Sequence, residues 1–163
     1  MPREPPVPES ATSPALVAEA RALIEEYSRG IGFSLDFQDF ARELESLPGE
    51  YAPPRGALFL ARIGARYAGC VGLRPLDEVT CEMKRLFVRP EFRDRGIGAL
   101  LARHLVAEGR RLGYRRMRLD TVPSMTAALG LYRRLGFREI PAYRYNPMSG
   151  AVYLELELDT VSK

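Results

Sequence analysis

The chain has little thiol or imidazole with which to build a metal site or a disulfide framework. Its two cysteines, Cys70 and Cys81, stand outside any CxxC or CxxH context, and His104 is the one histidine in 163 residues. The dense, even cysteine pattern of small secreted domains is absent, so a reducing cytoplasm is the expected setting and no metal is expected. No apolar run approaches the roughly 18 residues that a membrane span requires. The opening MPREPPVPESATSP has no apolar core of a signal peptide, and no membrane partner is expected. There is no internal repeat, and no coiled-coil heptad marks an assembly surface.

What is present suits one domain with a real core: 46% of the residues are hydrophobic. Residues 1–13, with their prolines and acids, read as a flexible N-terminal arm, and residues 14–163 as a single domain. The net charge of +3 is unevenly spread. Residues 1–83 carry 8 Lys+Arg against 13 Asp+Glu, residues 84–118 carry 11 against 3, and residues 119–163 carry 5 against 5. Such a basic block fits an anionic partner, nucleic acid or a phosphorylated small molecule, and fits a solvated arginine-rich face equally well.

Ser13-Pro14 reads as an N-cap and first-turn proline ahead of Leu16, Val17, Ala20, Leu23, Ile24 and Tyr27, one face of a helix ending near Gly30. A second amphipathic segment runs from Asp36 through Phe37, Phe40, Ala41, Leu44 and Leu47, and Pro48-Gly49 stops it. ALFLARI and RYAGCVGL are strand-like, with Gly64-Ala65 as the hairpin turn between them. The third strand, VTCEMKRLFV, alternates as far as Lys84 and then turns apolar without a break at Leu86, Phe87 and Val88. That loss of alternation predicts a bulge, or a strand buried on both faces. A long helix follows from Ile97, with Leu100, Leu101, Leu105 and Leu112 on its apolar side and Gly113 near its end. RRMRLDTV is a further strand, and Met125, Ala128, Leu129, Tyr132 and Leu135 keep helical spacing up to Gly136. FREI and AVYLELEL are the last strands of a mixed α+β chain. No strand pattern precedes the first helix.

Gly96 and Gly98, in RPEFRDRGIGALL, stand where the long helix begins, although glycine is among the poorest helix formers. Strand, glycine turn and helix start together make an anion site. The first helical N–H groups lack intrahelical partners, and the helix dipole places partial positive charge there. Bare backbone lets a phosphate approach, with Arg93 and Arg95 adding charge at the rim. A tight turn or close helix–sheet packing would also ask for glycine. There is no Gly-Lys-Ser/Thr for a P-loop, and GIGALL lacks the third glycine of a dinucleotide fingerprint.

RDRGIG, Arg93 to Gly98, resembles the Gln/Arg-x-x-Gly-x-Gly/Ala signature of the GNAT superfamily of acyl-CoA N-acyltransferases. The stretch from EMKRLFV to RLDT is similar to the family's strand–loop–helix–strand core, and MTAALGLYRRLGF to its following helix and turn, so the likeness spans Glu82 to Phe137. The resemblance implies a central mixed, mostly antiparallel sheet flanked by helices, with acetyl-CoA as co-substrate and an amine as acceptor. It places Leu86, Phe87 and Val88 on the strand that holds pantetheine and approaches the thioester carbonyl. It places Arg93, Asp94, Arg95, Gly96, Ile97, Gly98 and Ala99 on the pyrophosphate cradle. Met125 stands where many members carry a cofactor-contacting asparagine, and a first strand should precede the first helix.

By the same resemblance Tyr132 is the acid that protonates the departing sulfur, although an aromatic in its apolar stripe is also ordinary core. Glu82 is the candidate base. Among Cys81, Met83 and a buried strand it is expected to be desolvated, with a raised pKa; a partner such as Lys84 or Arg85 would make it structural instead. His104 reads as a helix boundary residue, Cys81 as a buried structural thiol, and Ser124 lacks the partners of a triad.

In this fold the acceptor is set by the first two helices and the loop before the last strand. Here these supply Asp36, Asp39 and Glu43, and Tyr143, Arg144, Tyr145 and Asn146. A small-molecule or amino-acid-like amine is the expected acceptor, with a protein or peptide amine and a catalytically silent acyl-CoA-binding module as alternatives. No recognition helix or aromatic sheet motif accompanies the basic block, so no nucleic-acid partner is expected. The family allows a homodimer.

Overall fold

The computed structural model describes residues 5–32, 34–35 and 39–158. Helix α1 (Pro14–Gly30) begins as its sequence predicts: the Ser13 hydroxyl accepts a hydrogen bond from the Leu16 amide at 3.2 Å, and Pro14 takes the first turn. Its buried face of Val17, Ala20, Leu23 and Ile24 packs with Leu58, Leu60 and Cys70 of the sheet. Helix α2 (Phe40–Ser46) is short and is followed by a single 3-10 turn at Gly49–Tyr51. Asp36 and Phe37, expected to open this helix, lie outside the described residues.

The strands are β1 (Val7–Ser10), β2 (Ala57–Ile63), β3 (Arg66–Pro75), β4 (Thr80–Val88), β5 (Arg116–Thr121), β6 (Arg138–Ile140) and β7 (Val152–Glu157). They form one sheet in the order β1-β2-β3-β4-β5-β7-β6. Only β4 and β5 run parallel; every other neighbouring pair is antiparallel. Helices α3 (Ile97–Arg111) and α4 (Thr126–Leu135) contribute to the larger core, where Leu101, Leu105 and Leu131 meet Val71, Met117 and Leu154. This is the α+β architecture expected of the GNAT fold.

The N-terminal arm is a correction. Val7–Ser10 is a strand, paired antiparallel with Phe59–Arg62, and the Tyr67 hydroxyl donates to Glu9 at 3.1 Å. It escaped the pattern because it is a four-residue edge strand in which Pro8 interrupts any alternation and Val7 is exposed. Backbone pairing with β2, rather than an apolar face, holds it.

Two irregularities of β4 make room for a ligand. Against β3, Gly72 faces Lys84 but Cys70 faces Phe87, so β4 carries an extra residue between them. Arg85 absorbs it with a left-handed φ of 62°, and the Cys70 thiol donates to its carbonyl at 3.4 Å. The predicted bulge is therefore real. Against β5, pairing runs only from Thr80↔Arg116 to Glu82↔Arg118. Beyond Glu82 the edge of β4 that faces β5 has no strand partner.

Gly69 lets β3 follow this distorted strand closely: a Cβ there would lie 2.3 Å from the Phe87 carbonyl oxygen. Gly69→Ala must push backbone against backbone beside the bulge. It is expected to lower stability by about 1–3 kcal/mol in urea unfolding, as overpacking does, and to weaken coenzyme A binding.

Candidate active site

The parting of β4 and β5 opens a cavity of about 620 Å³. Its walls come from five elements. Met83, Lys84, Arg85, Leu86, Phe87 and Val88 supply the β4 side, and Leu119, Asp120 and Thr121 the β5 side. Arg93, Asp94, Gly96, Ile97 and Gly98 close the end at the start of α3. Tyr132, Leu131 and Met125 come from α4 and its cap, and Tyr27, Gly30 and Ile31 from the end of α1.

At the α3 end Gly96 is the N-cap, with φ 76° and no side-chain cap. A left-handed cap costs glycine little, and it brings no side chain to cap the first helical amides. Gly98 lines the same cavity, and a Cβ on it would meet only ordinary contacts, Val88 at 3.8 Å and Leu131 at 3.9 Å. Packing does not demand glycine there; access to the backbone does. The residues therefore fit a pyrophosphate group. Arg93 is held by its Nε on the Val88 carbonyl at 3.0 Å, while Arg95 lies over the Phe92 ring. Arg95 and Ala99, two of the ten expected cofactor residues, do not line the cavity.

Tyr132 joins both descriptions open to it. It is buried in the core, its ring centroid 5.7 Å from that of Phe137, and it lines the cavity. Burial raises its pKa, so the phenol keeps its proton at neutral pH. Met125, in place of the family asparagine, caps α4 and receives the Thr121 hydroxyl on its sulfur at 3.4 Å.

For Glu82 the correction is to its expected pKa. It is fully buried but does not line the cavity. Its carboxylate accepts from Arg74 Nε at 2.8 Å, from Arg144 Nη2 at 2.9 Å and from the Tyr143 hydroxyl at 2.7 Å. Burial alone would raise its pKa, but the charges of Lys84, Arg74 and Arg144 and the Tyr143 hydroxyl hold it below the usual value. The expected rise is reversed because the desolvated carboxylate is more than compensated by cations. Glu82 thus ties the loop between β6 and β7 to the sheet, while Tyr145 of that loop is exposed.

On the β5 side the carboxylate that lines the cavity is Asp120, which accepts from Asn146 Nδ2 at 3.0 Å. Sequence reasoning missed Asp120 and Lys84. In the parallel register Glu82 faces Arg118, so the two-residue period puts Lys84 and Asp120 on the face of Glu82, just past the point where pairing ends. Cys81 is buried and its thiol is pushed up to about 12 by desolvation, as suits an inert cysteine. His104 packs edge-on to Phe59 at the helix boundary. Among the described residues no group of three or more His, Cys, Asp or Glu is placed to hold a metal, and no helix is long and apolar enough to cross a membrane.

The sequence matches the Acetyltransferase (GNAT) family over residues 20–137. It is 38% identical over 140 residues to an uncharacterized N-acetyltransferase of Schizosaccharomyces pombe, covering 85% of this chain and 86% of that protein. One from Dictyostelium discoideum is 30% identical over 204 residues, covering 87% of this chain and 94% of the other. In fold, a Salmonella typhimurium protein solved with its cofactor acetyl-CoA matches with a TM-score of 0.70 at 17% identity, over 98% of this chain and 97% of that one. The chain belongs to the GNAT acetyltransferase family and is an acetyl-CoA-dependent N-acetyltransferase.

Glu82→Gln removes the charge that Arg74 and Arg144 face, and is expected to cost ~3–5 kcal/mol, as breaking a buried ion pair does. Because the folded pKa lies below the reference value of 4.5, this stabilisation is present above pH 4.5 and lost as pH falls through the folded value. Urea unfolding of wild type and variant should show the widest gap at neutral pH and a closing gap in acid.

Proposed function

We propose that the chain transfers the acetyl group of acetyl-CoA to a small amine by direct attack, with both substrates bound at once. The observation that carries this reading is the continuous cavity. It runs from the glycine-capped start of α3, through the gap between β4 and β5, to walls that bear Tyr132 and Asp120.

The pyrophosphate meets the amides of the Arg93–Ala99 turn, where unpaired N–H groups and the helix dipole favour an anion. The open edge of β4 at Leu86, Phe87 and Val88 offers backbone groups to the pantetheine arm, and N–H donors to charge that develops on the thioester oxygen. An alkylammonium with a pKa of about 10.4 must lose a proton before it can attack. Asp120 receives that proton, directly or through water, from the acceptor side. Tyr132 returns a proton to the departing sulfur. Glu82 is a positioning residue, acting through Tyr143 and Arg144. A cavity of about 620 Å³ must hold the pantetheine arm as well as the acceptor, which favours a small amine over a folded protein.

Acetyl-CoA with a panel of small amines tests this. Thermal stabilisation by acetyl-CoA and amine-dependent release of free thiol are expected together. Absence of stabilisation at millimolar acetyl-CoA contradicts the cofactor reading, and stabilisation with no amine-dependent thiol supports a silent binding module. Tyr132→Phe should lower turnover by about 10²-fold while coenzyme A still stabilises the protein. Asp120→Asn should raise KM for the amine and lower kcat/KM, with the same stabilisation by coenzyme A.

A further inference from the structure

The 24 Lys+Arg residues of this chain include just two lysines, Lys163 at the end of the sequence and Lys84 in the cavity. Basic charge is supplied by arginine almost everywhere else. Arginine cannot give up its proton in a protein, whereas a buried lysine can and then becomes a nucleophile. A lysine beside Arg85, where β4 has just left β5, is thus a chemical choice that charge alone does not explain.

Lys84 is 6% exposed and lies two residues past Glu82, the last β4 residue paired with β5. Charged groups face it from four elements: Glu82 and Arg85 on β4, Arg74 on β3, Asp120 on β5 and Glu43 on α2. Tyr27 of α1 lines the same cavity. Desolvation and the neighbouring Arg85 and Arg74 pull its pKa down to about 7, against the opposing pull of Glu82 and Asp120. A substantial fraction of the side chain is then a neutral amine under ordinary conditions.

We propose that Lys84 is a self-acetylation site, an internal amine that takes the acetyl group when acetyl-CoA is bound and no acceptor occupies the cavity. This rests on the acetyl-CoA reading above. The lone pair of Nζ forms the N–C bond, and the C–S bond breaks with its electron pair leaving on sulfur. One proton leaves Nζ and one reaches the thiolate, so the products are coenzyme A as a free thiol and a neutral Nε-acetyl-lysine. The amide is a much weaker acyl donor than the thioester, so it does not pass the acetyl group on. It also lengthens Lys84 into the acceptor end and removes its charge. Self-acetylation is therefore a dead end that closes the site when acceptor is scarce.

The test uses the full chain with acetyl-CoA alone, followed by intact mass, peptide mapping and thiol release. The mass of the starting protein is recorded first, and an acetyl group already on Lys84 and absent from Lys163 counts as the expected result. Otherwise one acetyl group should appear on Lys84, with Lys163 unmodified as the internal control. Thiol release should stop at one per chain, and its rate should rise with pH through about 7 and then level. K84R, checked for folding by thermal unfolding, should release no thiol in the absence of amine while still being stabilised by coenzyme A. Coenzyme A stabilisation with Lys84 unmodified overturns this inference alone. Equal acetylation of Lys163, or thiol release that continues past one per chain, also overturns it. No stabilisation by coenzyme A overturns the acetyl-CoA reading and this inference with it.

Discussion

The extra residue in β4 is the constraint on which the rest of the site depends. Arg85 holds it in a left-handed conformation that costs a non-glycine residue on the order of 1–3 kcal/mol, so neighbouring contacts must over-determine it. They do. The Arg85 guanidinium makes paired hydrogen bonds to Glu43 at 2.9 and 2.7 Å, and Glu43 also accepts from the Tyr51 hydroxyl at 3.0 Å. The guanidinium lies over the Phe40 ring as well. One distortion therefore does two things. It fixes α2 against the sheet, and it re-aims Leu86, Phe87 and Val88 along the cavity instead of along β5.

Charge is divided accordingly. Arg85 is buried and Arg74 and Arg144 are half-buried, and each is matched by a carboxylate, from Glu82 or Glu43. At the α3 end the glycine cap brings no side chain to the helix amides. A glycine-capped helix start with no side-chain cap is the end of the cavity suited to an anion. Within the basic block of residues 84–118, Arg85, Arg89, Arg111 and Arg118 are held in ion pairs, while Lys84 and Arg93 line the cavity.

Local chemistry made much of this readable in the sequence. The Ser13-Pro14 cap, the Gly64-Ala65 hairpin, the bulge signalled by Leu86-Phe87-Val88 and the glycine cap of α3 each depend on residues close to one another in the chain. The misreadings have long-range causes. β1 is defined by its pairing with β2, some fifty residues away, and its own residues carry no pattern. The rise expected in the pKa of Glu82 is reversed because Arg144, 62 residues on, and Tyr143 lie beside it. Asp120 and Lys84 became visible only once the parallel register of β4 and β5 was known.

Hydrogen–deuterium exchange with and without coenzyme A tests the central claim most directly, because it reads backbone amides rather than activity. Binding should protect two separated stretches, residues 86–88 on β4 and residues 94–99 at the start of α3. Protection confined to other segments, or uniform across the sheet, would contradict the account that the parted strands and the bare helix start are where coenzyme A is held.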